Sequence, residues 1–134
     1  MDISRTETEA KGIRKVLLIE DNPSVLRSLA IFFELEGHNV RTASDGEAAF
    51  QSISEEIPDI IFCDLSLPGT MKGWDVAERI VREIPASQRP LLIALTGHIQ
   101  EKYVQQSHEA GFDYHLSKPT SPAELRQCLQ LAGG

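Results

Sequence analysis

Five polar residues stand where apolar runs end, and their types suit one kind of chemistry. In IIFCDLSLPG, residues 60–69, four apolar residues run into Asp64 and then a proline turn. Glu20 and Asp21 close the run KVLLI, Thr96 and Gly97 close LLIAL, and Lys118 and Pro119 follow DYHLS. Each has a plain structural reading on its own. Acidic residues before a helix offset its positive N-terminal dipole, a Lys-Pro pair opens a turn, a Thr-Gly says little, and a lone Asp64 is a solvated loop carboxylate. The joint pattern says more. Three carboxylates gathered at one place repel one another, more so when partly buried, and so call for a cation or a proton. Magnesium fits, because it prefers oxygen ligands and is commonly held by one or two carboxylates together with waters and phosphate oxygens. With Mg²⁺ at Asp21 and Asp64, and Glu20 acting directly or through water, one Asp64 oxygen stays free to attack phosphorus, as carboxylates do in forming aspartyl phosphates. Lys118 then supplies a charge, and Thr96 a hydroxyl donor, for the oxygens of the transferred group.

That chemistry needs elements that bring the run ends together. The apolar runs KVLLIE, DIIFCD and PLLIALT alternate with longer amphipathic segments, the signature of βα units around a parallel sheet buried on both faces. HNVRTA and DYHLS read as weaker strands, which gives five strands and five helices. Asn22 is placed to cap the first helix with Pro23 at its first position; Ser44 and Glu47 have capping-box spacing; Ser121, Pro122 and Glu124 repeat the pattern. In VLRSLAIFFELEG, Val25, Leu29, Phe32, Phe33 and Leu35 are expected to face the core, and Gly37 to stop the helix. In a doubly wound sheet, sites form beyond the carboxyl ends of the strands, which is where the five polar residues stand.

Composition narrows the classes. A chain of 134 residues suits one domain with one function, and a formal net charge of -7 argues against a nucleic-acid or anionic-membrane surface while suiting a cation or a basic partner. Cys63 and Cys128 match no metal-ligand spacing and read as free thiols in a reducing compartment. Residues 1–12 are polar, without hydrophobic period, and read as a mobile tail ahead of a single domain over 13–134; no apolar run is long enough to span a bilayer, so a cytoplasmic location is expected.

VLLIEDNP, IIFCDLSLPG, ALTG and GFDYHLSKP, in this order and spacing, resemble the receiver domains of two-component response regulators, including those attached to hybrid histidine kinases. The resemblance covers residues 14–131 and implies a flavodoxin-like (βα)5 three-layer sandwich with parallel strand order 2-1-3-4-5. It implies Asp64 as phospho-acceptor, Glu20, Asp21, Asp64 and the backbone carbonyl of Ser66 around Mg²⁺, Thr96 and Lys118 on the phosphoryl oxygens, and a cis peptide between Lys118 and Pro119. The partners it implies are a histidine kinase or histidine phosphotransfer protein as donor and a downstream protein as target. The domain would catalyse its own phosphotransfer and dephosphorylation rather than act as an enzyme on others. Its output surface would be the fourth helix, fifth strand and fifth helix, where a homodimer would also form. No DNA-binding or enzymatic pattern follows residue 131, so output is expected through noncovalent partners or the remainder of a hybrid kinase.

Some positions depart from the commonest pattern. His115 occupies the usual place of the aromatic switch residue, and Tyr114 cannot replace it because adjacent strand residues point to opposite faces. The loop PGTMKG carries one more residue than the frequent PGxxG form, and Ser66 and His98 hold the positions that tune phosphoryl lifetime. Three other readings compete. A haloacid-dehalogenase-like phosphatase wants a second aspartate where Ser66 stands, and an FMN-binding flavodoxin wants a Ser, Thr and Gly-rich phosphate loop where EDNP places charges. An interaction module of the same fold, acting without phosphotransfer, is the nearest alternative.

Overall fold

Alternation of buried strands with one-sided helices resolves into an open, doubly wound sheet. The computed structural model describes residues 12–97 and 101–132, with side chains from 104 onward in the second stretch. The expected mobile tail, apart from Gly12, and His98 lie outside the described residues. Strands β1 (Lys15–Ile19), β2 (Asn39–Ala43), β3 (Ile60–Asp64), β4 (Leu91–Thr96) and β5 (Tyr114–Ser117) alternate with helices α1 (Pro23–Leu35), α2 (Gly46–Glu55), α3 (Gly73–Glu83), α4 (Glu101–Ala110) and α5 (Pro122–Ala132). All strands are parallel, in the order β2-β1-β3-β4-β5. This is the expected flavodoxin-like order. Among the described residues no helix is long and apolar enough to cross a membrane.

The period of two along the strands builds two cores from one set of runs. Leu17, Ile19, Ile61, Cys63, Leu92 and Ala94 face one side and pack with α2, α3 and the α4–β5 corner through Ala49, Ile53, Val76, Ala77, Ile80, Ala110 and Phe112. Val16, Leu18, Ile60, Phe62, Ile93 and Leu95 face the other and pack with α1 and α5 through Leu29, Phe33, Leu125, Cys128 and Leu129. Every residue of β3 is buried, so Asp64 ends a rod held on both faces. Cys63 and Cys128 are free buried thiols; burial pushes the first upward and the second to about 11.

Helix ends follow local chemistry, with two corrections. Asn22 caps α1, its side chain accepting from the Ser24 and Val25 N–H groups, and Pro23 follows. Gly37, at φ 94°, lets the chain leave α1: its N–H donates to the Glu34 carbonyl and that of His38 to Phe33, the paired bonds of a Schellman ending. Ser121 and Glu124 form the expected capping box at α5. At α2, however, Asp45 rather than Ser44 is the cap, accepting from Ala48 N–H at 2.8 Å. The helix starts one residue later than the Ser44–Glu47 spacing suggests, which puts Glu47 too early to close a box. The α1 stripe also loses a member, since Leu35 is 82% exposed. At about 100° per residue it points away from buried Phe33, two positions earlier.

Candidate functional site

The carboxyl ends of β1, β3, β4 and β5 bring the predicted residues to one rim. The sheet order sends the chain from β1 outward to β2 and back across to β3, so the crevice opens between β1 and β3. Glu20 and Asp21 follow β1, and Asp64 ends β3. One carboxylate oxygen from each of Glu20, Asp21 and Asp64 lies within 4.8 Å of the other two. Glu20 and Asp64 are buried while Asp21 is exposed, so the cluster has a dry floor and an open side.

Lys118 crosses from the end of β5 to join them. Its Nζ donates to Glu20 Oε1 at 2.7 Å and lies 3.2 Å from Asp64 Oδ2. The second Glu20 oxygen accepts the Asn22 N–H at 3.1 Å, and Asp64 Oδ1 accepts the Ser66 N–H at 2.9 Å. Burial raises the Glu20 carboxyl above its ordinary value, although its bonds from Lys118 and Asn22 oppose the rise and the Asp64 charge adds to it. Burial alone would lower Lys118, but the Glu20 bond and the two negative charges outweigh it and hold the ammonium above the ordinary lysine value.

Three carboxylates against one ammonium leave two negative charges in a partly dry crevice. Such an all-oxygen donor set suits a hard divalent cation and has nothing to offer a soft one. Mg²⁺ therefore fits the residues present.

Thr96 is buried at the end of β4, one position past Leu95, the register partner of Asp64, and its carbonyl accepts the Lys118 N–H at 2.8 Å. The Lys118–Pro119 peptide is cis. His115 pairs with Ala94 and Ser117 with Thr96, so His115 and Thr96 lie on the same face of the sheet, two residues apart in register. Tyr114 pairs with Ile93 on the opposite face and is half exposed. Ser66 is an exposed residue between buried Leu65 and Leu67.

The site also involves residues that the spacing of charges does not single out. Gly73, the first residue of α3, packs so close that a Cβ there would stand 2.6 Å from the Asp64 carbonyl oxygen and 2.7 Å from Leu65 Cα. Lys72 reaches back over the loop to the Leu67 carbonyl at 2.9 Å. A lysine before a helix reads as a solvated side chain, so only its contact reveals it.

This chain belongs to the response regulator receiver domain family, whose model matches residues 16–130. It is a signalling domain of two-component systems, a class that works with histidine kinases and downstream effectors. It is 31% identical over 115 residues to an uncharacterized 14.6 kDa protein of Leptolyngbya boryana, covering 86% of each chain. It is 33% identical to the transcriptional regulatory protein KdpE of Mycobacterium tuberculosis across 87% of this chain and 50% of that one. Thus the chain spans about half the length of the transcriptional regulators it matches. Among solved structures, the chemotaxis protein CheY4 of Vibrio cholerae superposes with a TM-score of 0.80 at 25% identity, covering 90% of this chain and 98% of that one.

Proposed function

We propose that this receiver takes a phosphoryl group from a phosphohistidine, on a histidine kinase or histidine phosphotransfer protein, onto Asp64 in a Mg²⁺-dependent reaction. The observation that carries the reading is Lys118 Nζ held between Glu20 Oε1 and Asp64 Oδ2, at the mouth of a crevice whose carboxylates outnumber it. Glu20, Asp21, Asp64 and the Ser66 backbone carbonyl are the residues that would hold the ion. When bound, Mg²⁺ neutralises the charge on the phosphoryl oxygens and on the attacking carboxylate.

The buried strand β3 aims Asp64 and keeps it from swinging away. One of its carboxylate oxygens forms the bond to phosphorus while the phosphorus–nitrogen bond of the donor breaks, and the electron pair leaves on the imidazole nitrogen. Lys118 remains as a counter-charge to the transferred group, and the Thr96 hydroxyl donates to one of its oxygens. Water later cleaves the aspartyl phosphate, returning Asp64 and releasing phosphate. Between these events the new dianion draws Thr96 and its loop inward. His115, on the same face of the sheet, then fills the space and the surface of α4, β5 and α5 favours a second arrangement. A downstream protein, or a second copy of the chain, reads that surface.

Incubation with phosphoramidate and Mg²⁺, followed by intact-mass spectrometry, tests the assignment. Wild type gains one phosphoryl group, lost on chelation of Mg²⁺ before donor is added, and Asp64→Asn gains none. Equal labelling of the two proteins would refute the role of Asp64. No labelling of a folded wild type would favour an interaction module that works without phosphotransfer.

A further inference from the structure

The β3–α3 loop is braced in a way the charge of the site does not require. Its base is closed by the Gly73 N–H on the Leu65 carbonyl at 3.2 Å, with Gly73 pressed on the Asp64 and Leu65 backbone. Leu65 and Leu67 are buried on either side of exposed Ser66, whereas Pro68, Gly69 and Thr70 are exposed. Lys72 stands at the N-cap of α3, where a side-chain acceptor is usual; an ammonium has none. Only the return half of a capping box forms, the Lys72 N–H donating to Asp75 Oδ2 at 2.8 Å. The side chain is thereby left to turn back, and its Nζ donates to the Leu67 carbonyl at 2.9 Å, a charge-assisted bond across the loop. Met71 fixes the outer side by packing where Gly46 leaves no Cβ, its Sδ 2.5 Å from the place that atom would take.

We propose that Lys72 is a positioning residue for the metal-binding step: by tying the Leu67 carbonyl it fixes the Leu67–Pro68 peptide and holds the Leu67 Cα, to which the neighbouring peptide that carries the Ser66 carbonyl is joined. The inference rests on the phosphotransfer reading above. The extra residue in PGTMKG lengthens the segment between the two closures, and a longer loop has more conformations to exclude before a backbone ligand is in place. The buried Leu67 side chain and the ammonium on the Leu67 carbonyl hold the Leu67 Cα from two directions. With Leu67 held on one side and the Ser66 N–H on Asp64 Oδ1 at 2.9 Å on the other, the peptide between them has little rotation left.

Electrostatics and positioning predict different outcomes, which makes the test decisive. Lys72→Met removes a positive charge from the loop that follows Asp64; if charge alone mattered, Mg²⁺ would bind no less tightly. If Lys72 positions the peptide, Mg²⁺ binds about 10-fold more weakly, the low end for residues that orient a metal ligand. The titration is followed by amide NMR shifts around Asp64, with MgCl₂ as the probe and thermal melts to show that each variant is folded. Lys72→Gln is read in the same way, and Lys72→Arg, which keeps a cationic donor, stays close to wild type. Unchanged or tighter Mg²⁺ binding in folded Lys72→Met overturns the inference while leaving phosphotransfer to Asp64 intact. A wild type that binds no Mg²⁺ overturns both.

Discussion

Lys118 holds two buried acids and leaves a third exposed. Glu20 and Asp64 share its ammonium, while Asp21 faces solvent from the same cluster. Removing one partner from such a group leaves uncompensated charge in a partly dry place. Lys118→Met is therefore expected to cost about 2 kcal/mol of stability in metal-free buffer at neutral pH, below the loss for fully buried pairs because the lysine is partly exposed. Urea denaturation measures it. For wild type, adding Mg²⁺ is expected to raise the unfolding midpoint and chelation to reverse the gain, since an ion held by the folded cluster would stabilise by mass action. The residue types and their places at run ends make this site legible in the sequence. The division of the two Glu20 oxygens between Lys118 and the Asn22 N–H is not, because it depends on a crossing from β5 that no local pattern encodes.

Elements in this chain start and stop on single side chains, and a shift of one residue is enough to change which one matters. Asp45, not Ser44, accepts the Ala48 N–H at the start of α2. Asp45→Ala is expected to lose about 1 kcal/mol, the usual worth of an N-cap, and Ser44→Ala much less, by chemical denaturation under matched conditions. The α1 cap and the α5 capping box are legible because proline fixes their register beside the capping residue. Before α2 there is no proline, and two candidate caps stand side by side. Leu35 fails the stripe for a related reason: apolar character tells that a helix has a buried face, whereas its angle from Phe33 tells on which side Leu35 falls.

Across the whole molecule, two cores share one sheet, and the end opposite the carboxylates is closed by ties between distant segments. The Arg14 N–H donates to His38 Nδ1 at 3.0 Å, and Asn39 N–H donates to the Arg14 carbonyl, joining the start of β1 to the exit of α1. Burial lowers the affinity of His38 for a proton, the Arg14 charge lowers it further, and Glu36 opposes them. Protonation of Nδ1 would also remove the acceptor. The unfolded chain binds a proton at the ordinary histidine value and the folded chain does not, so stability rises with pH through the window just below 6.5 and falls on acidification. Glu20, raised from its ordinary value, contributes the opposite slope above 4.5, so the His38 term is read as a difference. His38→Asn, which keeps an acceptor that does not titrate, is expected to flatten the rise in melting temperature between about pH 5 and pH 7.

Five strands, a doubly wound class and the acids and lysine of the rim can all be read from consecutive residues. Apolar runs, their alternation with amphipathic segments and a charge at the end of each run are local properties, written in consecutive residues. It takes the folded chain to show that Lys118 meets Glu20 closely and Asp64 at 3.2 Å, that Gly73 must lie bare against the Asp64 carbonyl, and that Lys72 turns back onto Leu67. The Lys118 contacts join residues that only the crossovers of the sheet bring together, and the other two depend on how the β3–α3 loop folds back on itself. A long flexible side chain takes whichever partner the fold brings within reach.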